Sequence, residues 1–432
     1  MDAKYDPTAD PSALPLSGFR IVDVSQIGAG PYCTSLLGDL GADVIKVEPT
    51  WGDSFRKIDD EMGEGESAYF FGVNRSKRSL GLDLRTSEGY EVLTELVRQA
   101  DAFVVAFRPD AVTRMKIDYE TLKKINPSLV YCSITAFGED GPRAHQPGMD
   151  ILGQALSGVM GLTGEQDGPP IKVGVPIADF VTAFQSGFAI TAALLHKTRT
   201  GAGQKVSLNL LDGQVSTLAN FVTHFDRTKI PFRPQGGGHS QIVPYQPFAD
   251  VKGQYFILAC LNDSFWPKIV TALGDDRLMD DKLTTNSSRV KHRHEVVAIL
   301  TEIFATDLAS QWIDRLEAAG VPCSPVHRME DALEDPQVKH NGSIVELEHP
   351  DFGPYPVVNN PMRFHDLAVG PRGYAPRLGE HSRELLAEFG IPGKKIQQLI
   401  EAGTVVEFNR EPATTQTEAG SCPFLAASAE VH

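Results

Sequence analysis

Asp179 is the carboxylate whose surroundings best suit covalent chemistry. It follows the Gly- and Pro-rich stretch GPPIKVGVPIA and stands at the entry of IADFVTAFQSGFAITAALLHKTRTG, which reads as one long apolar helix running from about Phe180 to a basic, glycine-terminated stop. Asp at a helix start is a preferred N-cap, and the macrodipole there stabilises its negative charge. The same position suits a nucleophile, because an ionised carboxylate beside an open loop can attack a thioester and form a mixed anhydride. Position alone leaves both roles open.

Two further groups have chemical potential. Asn74, Arg75, Ser76, Lys77 and Arg78 precede one apolar run, and Arg108 and Arg114 follow another. In an acidic chain these are candidate partners for a phosphorylated ligand, or else a solvated, salt-bridged surface. Farther on, Gly236, Gly237 and Gly238 adjoin His239. Three glycines can form a lid, let backbone amides approach a reacting carbonyl, or simply link two segments. His239 is a candidate acid/base or pocket residue.

A glycine turn after the first apolar run, Gly28-Ala29-Gly30-Pro31-Tyr32-Cys33, invites a dinucleotide-binding interpretation, with Glu48 downstream as the acidic residue. The third glycine of the G-x-G-x-x-G fingerprint is missing, which disfavours a nicotinamide or flavin site. Pro31 is expected at the first helical position. The backbone N–H groups of the turn can still face a ligand.

These residues must be positioned by an alternation of strands and helices. FRIVDVS (19–25), ADVIKVEP (42–49), SLGLDL (79–84), AFVVAF (102–107) and LVYCSIT (129–135) are apolar strand candidates, and KVSLNLL follows the long helix. Thr86 caps a helix to about Ala100, and another helix is expected from Asp212. This order implies a parallel, doubly wound sheet, whose ligand crevice lies at the carboxyl ends of the strands. The pattern changes near 225, where PFRPQGGGHSQIVPYQPF is followed by the strand candidate QYFILACLN and by apolar residues at helical spacing from Val296 to Phe304. The expected division is 1–225 for the first part of a large domain, 226–330 for a small domain, 331–410 for a return segment and 411–432 for a tail.

Composition narrows the classes. With 432 residues the chain can bury more than one core, and its 41% hydrophobic and 22% charged content is that of an ordered protein. A net charge of −16 argues against a nucleic-acid partner. Five scattered cysteines without a CxxC pair fit free thiols and give no zinc spacing, so no metal is expected. No apolar run approaches the ~20 residues of a membrane span. The polar, acidic start is unlike a secretory leader, so a cytoplasmic protein with no membrane partner is expected.

Seven segments in order resemble the class III CoA-transferases of the CaiB/BaiF type: AGP after the first strand, LGADVIKVEP, NRSKRSLGLDL, SLVYCSITAFGEDGP, GMDILGQALSGVMGLTG, VPIADF and TGAGQKV. The resemblance covers about Leu16 to Val406. It implies an α/β fold, with a large Rossmann-like parallel-sheet domain and a smaller α+β domain, assembled as an interlocked, ring-like homodimer. It also implies acyl-CoA and carboxylate substrates, with Asp179 as the nucleophile that passes through aspartyl anhydride and aspartyl-CoA thioester intermediates. CoA contacts would fall on Asn74, Arg75, Ser76, Lys77, Phe107, Arg108, Arg114, Met115, Ala136, Phe137 and Gly138.

Within the family the resemblance runs toward the succinyl-CoA:glutarate (dicarboxylate) enzymes, through GHSQIVPYQPF, EDPQVKHNG, ELEHPDFG and EAGTVVEF. Glutarate, itaconate or malate would then be the type of acceptor. Its pocket would draw on Gln26, Gly28, Ala29, Arg56, Gly237, Gly238 and His239, with Arg56 and Arg108 as candidate cations for a distal carboxylate. Gln26 stands where the group usually has Arg, and Gly28 where it has a larger residue. Two other functions fit the fold: a 2-methylacyl-CoA racemase and a noncatalytic CoA-binding protein. The racemases carry His where this chain has Met149, which cannot exchange a proton.

Overall fold

Six apolar runs pair in parallel because the segments between them are too long for hairpins and instead form helices that cover both faces of the sheet. The structure is a computed structural model that describes residues 13–63 and 66–408. Its strands β1 (Arg20–Asp23), β2 (Asp43–Glu48), β3 (Arg78–Leu82), β4 (Ala102–Val105), β5 (Val130–Thr135) and β6 (Lys205–Asn209) lie in the order β3-β2-β1-β4-β5-β6. Helix α1 (Ala29–Asp39) joins β1 to β2, and α2 (Ala68–Val73) precedes β3. Helix α3 (Ser87–Arg98) joins β3 to β4, with Thr86 accepting from Gly89 N at 3.0 Å as its cap. Helices α4 (Pro109–Arg114) and α5 (Tyr119–Ile125) lead to β5, and α6 (Asp150–Ser157) and α7 (Ile177–Thr200) to β6.

One core, under α1 and α7, gathers Cys33, Leu36, Leu37, Val104, Cys132, Ala183 and Ile190. The other, on the opposite face, packs Leu93, Leu96 and Val97 of α3 with Phe103, Tyr131 and the C-terminal Leu385, Leu386 and Leu399. The strand order reverses between β1 and β4, so the turns after these two strands splay apart and open a crevice.

The later chain adds two smaller sheets. Strands β7 (Tyr245–Ala249), β8 (Tyr255–Ala259) and β9 (Cys323–Pro325) form one antiparallel sheet, over a core with Phe256, Trp266, Leu300, Phe304 and Trp312. A hairpin of β10 (Ile344–His349) and β11 (Gly353–Val358) forms the other. Strand β12 (Val405–Val406) then returns to the large sheet and pairs antiparallel with β3. This antiparallel edge is a departure from the all-parallel sheet expected.

Several local expectations change. Helix α1 begins at Ala29 with Gly28 as its cap residue, so Pro31 is its third residue and not its first. Helix α8 (Leu210–Ser216) starts two residues before Asp212, because Asn209 caps it by accepting from Asp212 N at 2.7 Å. Helix α7 is long and apolar enough by length and composition to cross a membrane, contrary to the sequence expectation. In the fold its stripe of Ala183, Ile190, Ala193 and Leu194 is buried against α1 and β5. The expected tail, 411–432, and Cys422 lie outside the described residues.

Candidate active site

Helix α7 begins at Ile177, so Asp179 is its third residue and does not cap it. The capping task falls to Asp150, the first residue of α6, whose Oδ1 accepts from Ala178 N at 2.7 Å and from Asp179 N at 3.4 Å. Gln154, one helical turn along, donates to Asp150 Oδ2 at 2.7 Å and holds that carboxylate in place. The expected cap role of Asp179 is therefore corrected, and its side chain is left available for other work.

Asp179 is only 9% exposed. Its carboxyl group is pushed up to about 7, chiefly by burial and secondly by the neighbouring charge of Asp150. A carboxyl poised there is partly ionised at neutral pH, and its ionised form is poorly solvated, which makes it a better nucleophile than a surface aspartate.

The wall facing Asp179 is the turn after β1. Ile27 adopts φ of 75°, a left-handed conformation that a β-branched side chain disfavours. The turn is held by a buried ion pair: Lys46 Nζ donates to Ser25 O and to Asp53 Oδ2, both at 3.0 Å, and Asp53 accepts from Ile27 N at 3.3 Å. Gly28 comes so close to Asp179 that a Cβ there would lie 2.6 Å from its Oδ2. This is the close approach that glycine permits.

A cavity of about 440 Å³ opens over Asp179. It takes in Gln26, Gly28 and Ala29 from the β1 turn, Phe107 and Arg108 from the β4 turn, Ala136 after β5, and Tyr69, Met149, Asp150 and Lys172. A second cavity, of about 820 Å³, lies at the ends of β2 and β3 and includes Trp51, Leu82, Arg85, Arg114, Met115 and Lys116. Gln26 and Phe107 line both, so the two spaces share a wall.

Asp179, Gln26, Gly28, Ala29, Phe107, Arg108 and Ala136 are thus brought together in the first cavity, with Arg114 and Met115 in the second. Other expected residues are placed elsewhere. Phe137 and Gly138 continue the turn after β5 without lining either cavity. Arg75 is fully buried against Asp39 at 2.7 Å, and Ser76 Oγ donates to the same carboxylate at 2.7 Å. Lys77 Nζ donates to Asp23 at 3.1 Å, to Pro31 O at 2.8 Å and to Asn74 Oδ1 at 2.9 Å. These four residues brace α1 and line neither cavity.

Arg56 is a correction of the same kind. Its guanidinium donates to both oxygens of Glu48, at 2.8 and 2.9 Å, and to Pro376 O at 2.7 Å. Burial would raise the Glu48 carboxyl, but Arg56 holds it down at about 2. A cation so fully matched has no charge left for a substrate. Gly237, Gly238 and His239 also lie outside the cavity lining: Gly236 N meets Gly164 O at 2.9 Å, and Arg293 donates to His239 O at 2.8 Å.

Three polar cavity residues that bear on the chemistry, Tyr69, Asp150 and Lys172, were not singled out from the sequence. Tyr69 carried no motif signal, and its phenol is pushed up to about 12 by burial and then by Asp179. Asp150 was passed over beside Met149. Lys172 was visible as the lone cation of GPPIKVGVPIA. Among the described residues no group of three or more His, Cys, Asp or Glu could hold a metal ion.

Comparisons with known proteins bear on this geometry. A family model described as CoA-transferase family III matches residues 16–382. The succinate–glutarate CoA-transferase of Agrobacterium fabrum is 38% identical over 382 residues, spanning 87% of this chain and 95% of that protein. The succinyl-CoA:mesaconate CoA-transferase of Haloarcula hispanica is 35% identical over 385 residues, spanning 87% of this chain and 96% of that protein. A solved CaiB/BaiF family protein from Brucella suis is similar at a TM-score of 0.79 and 38% identity, covering 87% of this chain and 99% of that one.

Proposed function

The chain belongs to CoA-transferase family III and is an acyl-CoA:carboxylate CoA-transferase; from this premise we propose that it moves CoA from succinyl-CoA to a dicarboxylate, with Asp179 as the nucleophile. The observation that carries the reading is the buried carboxylate of Asp179, raised to about 7, at the floor of a cavity that adjoins a second one large enough for a nucleotide arm. The two relatives above, named for glutarate and mesaconate, support a dicarboxylate acceptor.

In the proposed sequence an oxygen of Asp179 attacks the donor thioester carbon, the C–S bond breaks, and CoA thiolate leaves behind an aspartyl–acyl anhydride. The thiolate attacks the aspartyl carbonyl carbon, releases the donor carboxylate and forms an aspartyl–CoA thioester. The acceptor carboxylate then displaces the thiolate, giving a second anhydride. Attack of the thiolate on the acceptor acyl carbon releases the new acyl-CoA and restores Asp179. The CoA arm is proposed to cross the shared wall at Phe107 and Gln26, with its phosphates near Arg114 and Lys116. The exposed apolar side chains of Ile151, Leu156, Phe184, Phe188, Val222 and Phe225 support a homodimer, because a lone chain would leave them in water.

The test is a donor–acceptor screen with succinyl-CoA against glutarate, mesaconate, itaconate and malate, for the parent and for Asp179→Ala. Hydroxylamine or borohydride should trap Asp179 in the parent only. If Asp179→Ala transfers CoA as fast as the parent, Asp179 is not the nucleophile.

A further inference from the structure

The cavity over Asp179 holds two cations, Arg108 and Lys172. They differ in what already matches their charge. Arg108 approaches Asp110 Oδ2 at 3.4 Å and adjoins Phe107, the residue shared with the second cavity. Lys172 Nζ donates only to backbone, to Val173 O at 3.1 Å and Gly174 O at 3.0 Å. Carbonyls orient an ammonium without cancelling its charge, and no carboxylate among the described residues forms an ion pair with it. One of its three protons is left for a ligand. Arg56, the other cation expected there, is consumed by Glu48.

The placement of Lys172 is also coupled to that of the nucleophile. The next residue, Val173, donates its N–H to Gln154 Oε1 at 2.9 Å, and Gln154 donates in turn to Asp150, whose other oxygen caps the helix bearing Asp179. Lys172 therefore belongs to the wall made by α6 and its following loop, whereas the shared wall leading to the second cavity comes from the β1 and β4 turns. An acyl-CoA entering past Phe107 with its thioester at Asp179 would direct its far end toward the α6 wall.

We propose that Lys172 receives the distal carboxylate of the acyl group, in donor and acceptor alike, and thereby sets the preference for dicarboxylates. This rests on the dicarboxylate CoA-transferase reading above. The residue is a specificity determinant: it touches the substrate but takes no part in bond making.

The test compares glutarate and mesaconate with their monoamides as acceptors under a common donor, in the parent, Lys172→Met and Lys172→Arg. In this double-displacement scheme kcat/KM for the acceptor is independent of the donor step, so the carboxylate-to-amide ratio isolates the distal contact. Lys172→Met is expected to lower that ratio by about 10- to 100-fold, the scale of one charge-assisted contact, and Lys172→Arg to keep most of it. A ratio unchanged in Lys172→Met, with the parent favouring the diacids, overturns the assignment of Lys172 alone. A parent that transfers CoA but does not favour the diacids overturns the dicarboxylate reading itself, and the inference with it. Lys172 is exposed, so loss of fold does not confound the result.

Discussion

Oδ2 of Asp179 occupies the space that a side chain on Gly28 would need: a Cβ at residue 28 would lie 2.6 Å from that oxygen and 3.2 Å from the hydroxyl of Tyr69. The glycine is required by proximity and not by dihedral angle, since its φ is −121°. Gly28→Ala is therefore expected to displace the carboxylate while leaving the fold intact. Rapid mixing with succinyl-CoA should show acyl transfer to the enzyme slowed by about 10- to 100-fold. A burst of succinate release as fast as the parent's would show that Gly28 does not set the position of the Asp179 carboxylate.

The pH dependence of the donor half-reaction should report Asp179 directly. Attack requires the ionised form, so kcat/KM for the donor is expected to rise with pH through an apparent pKa near 7. Asp150→Asn removes the second cause of that elevation and keeps an oxygen for Ala178 N, so the rising limb should move to lower pH. A limb that stays in place would mean that burial acts alone.

Stability should show the same carboxyl with the opposite sign from an ordinary salt-bridged aspartate. The folded state holds the Asp179 proton up to about 7, against 3.8 as the ordinary value, and so binds more protons than the unfolded chain between those limits. Folding stability is then lost as pH rises through that window. Asp179→Asn abolishes this loss. It should raise the unfolding free energy at about pH 8 by on the order of 1–3 kcal/mol, and make little difference near pH 4. Thermal melts of both proteins across the range check this, and equal pH slopes would contradict it.

Proton exchange separates transfer from racemisation. Met149 lines the cavity beside Asp150 but has no group that can take or return an α-proton. A branched 2-methylacyl-CoA incubated with the enzyme in D2O should therefore gain no deuterium at its α-carbon, as read by mass spectrometry. Rapid wash-in would reveal a base that Met149 does not supply.

Local order was largely legible from the residues. Strands β1 to β6, the Thr86 cap of α3 and the glycine stop of α7 follow from apolar runs, capping side chains and breakers, which act within a few residues of themselves. Asp179 was visible for the same reason, as an acidic residue between a Gly/Pro-rich loop and an apolar helix. The motif order then carried the family, although no single motif did.

What the sequence could not settle was how each charge is spent, because that depends on partners far away along the chain. Arg56 looked available until β2 brought Glu48 against it, and Arg75 and Lys77 until Asp39 and Asp23 claimed them. Asp179 looked like a cap until Asp150, 29 residues earlier, took that role and left it free. Lys172 had no role assigned from the sequence, and the fold sets it in the cavity without a carboxylate partner among the described residues. Apolar pattern determines where the elements form, since burial is read locally. Only the tertiary structure decides which buried or cavity-lining charge is neutralised and which is left for a substrate, since that depends on distances between residues the chain keeps apart.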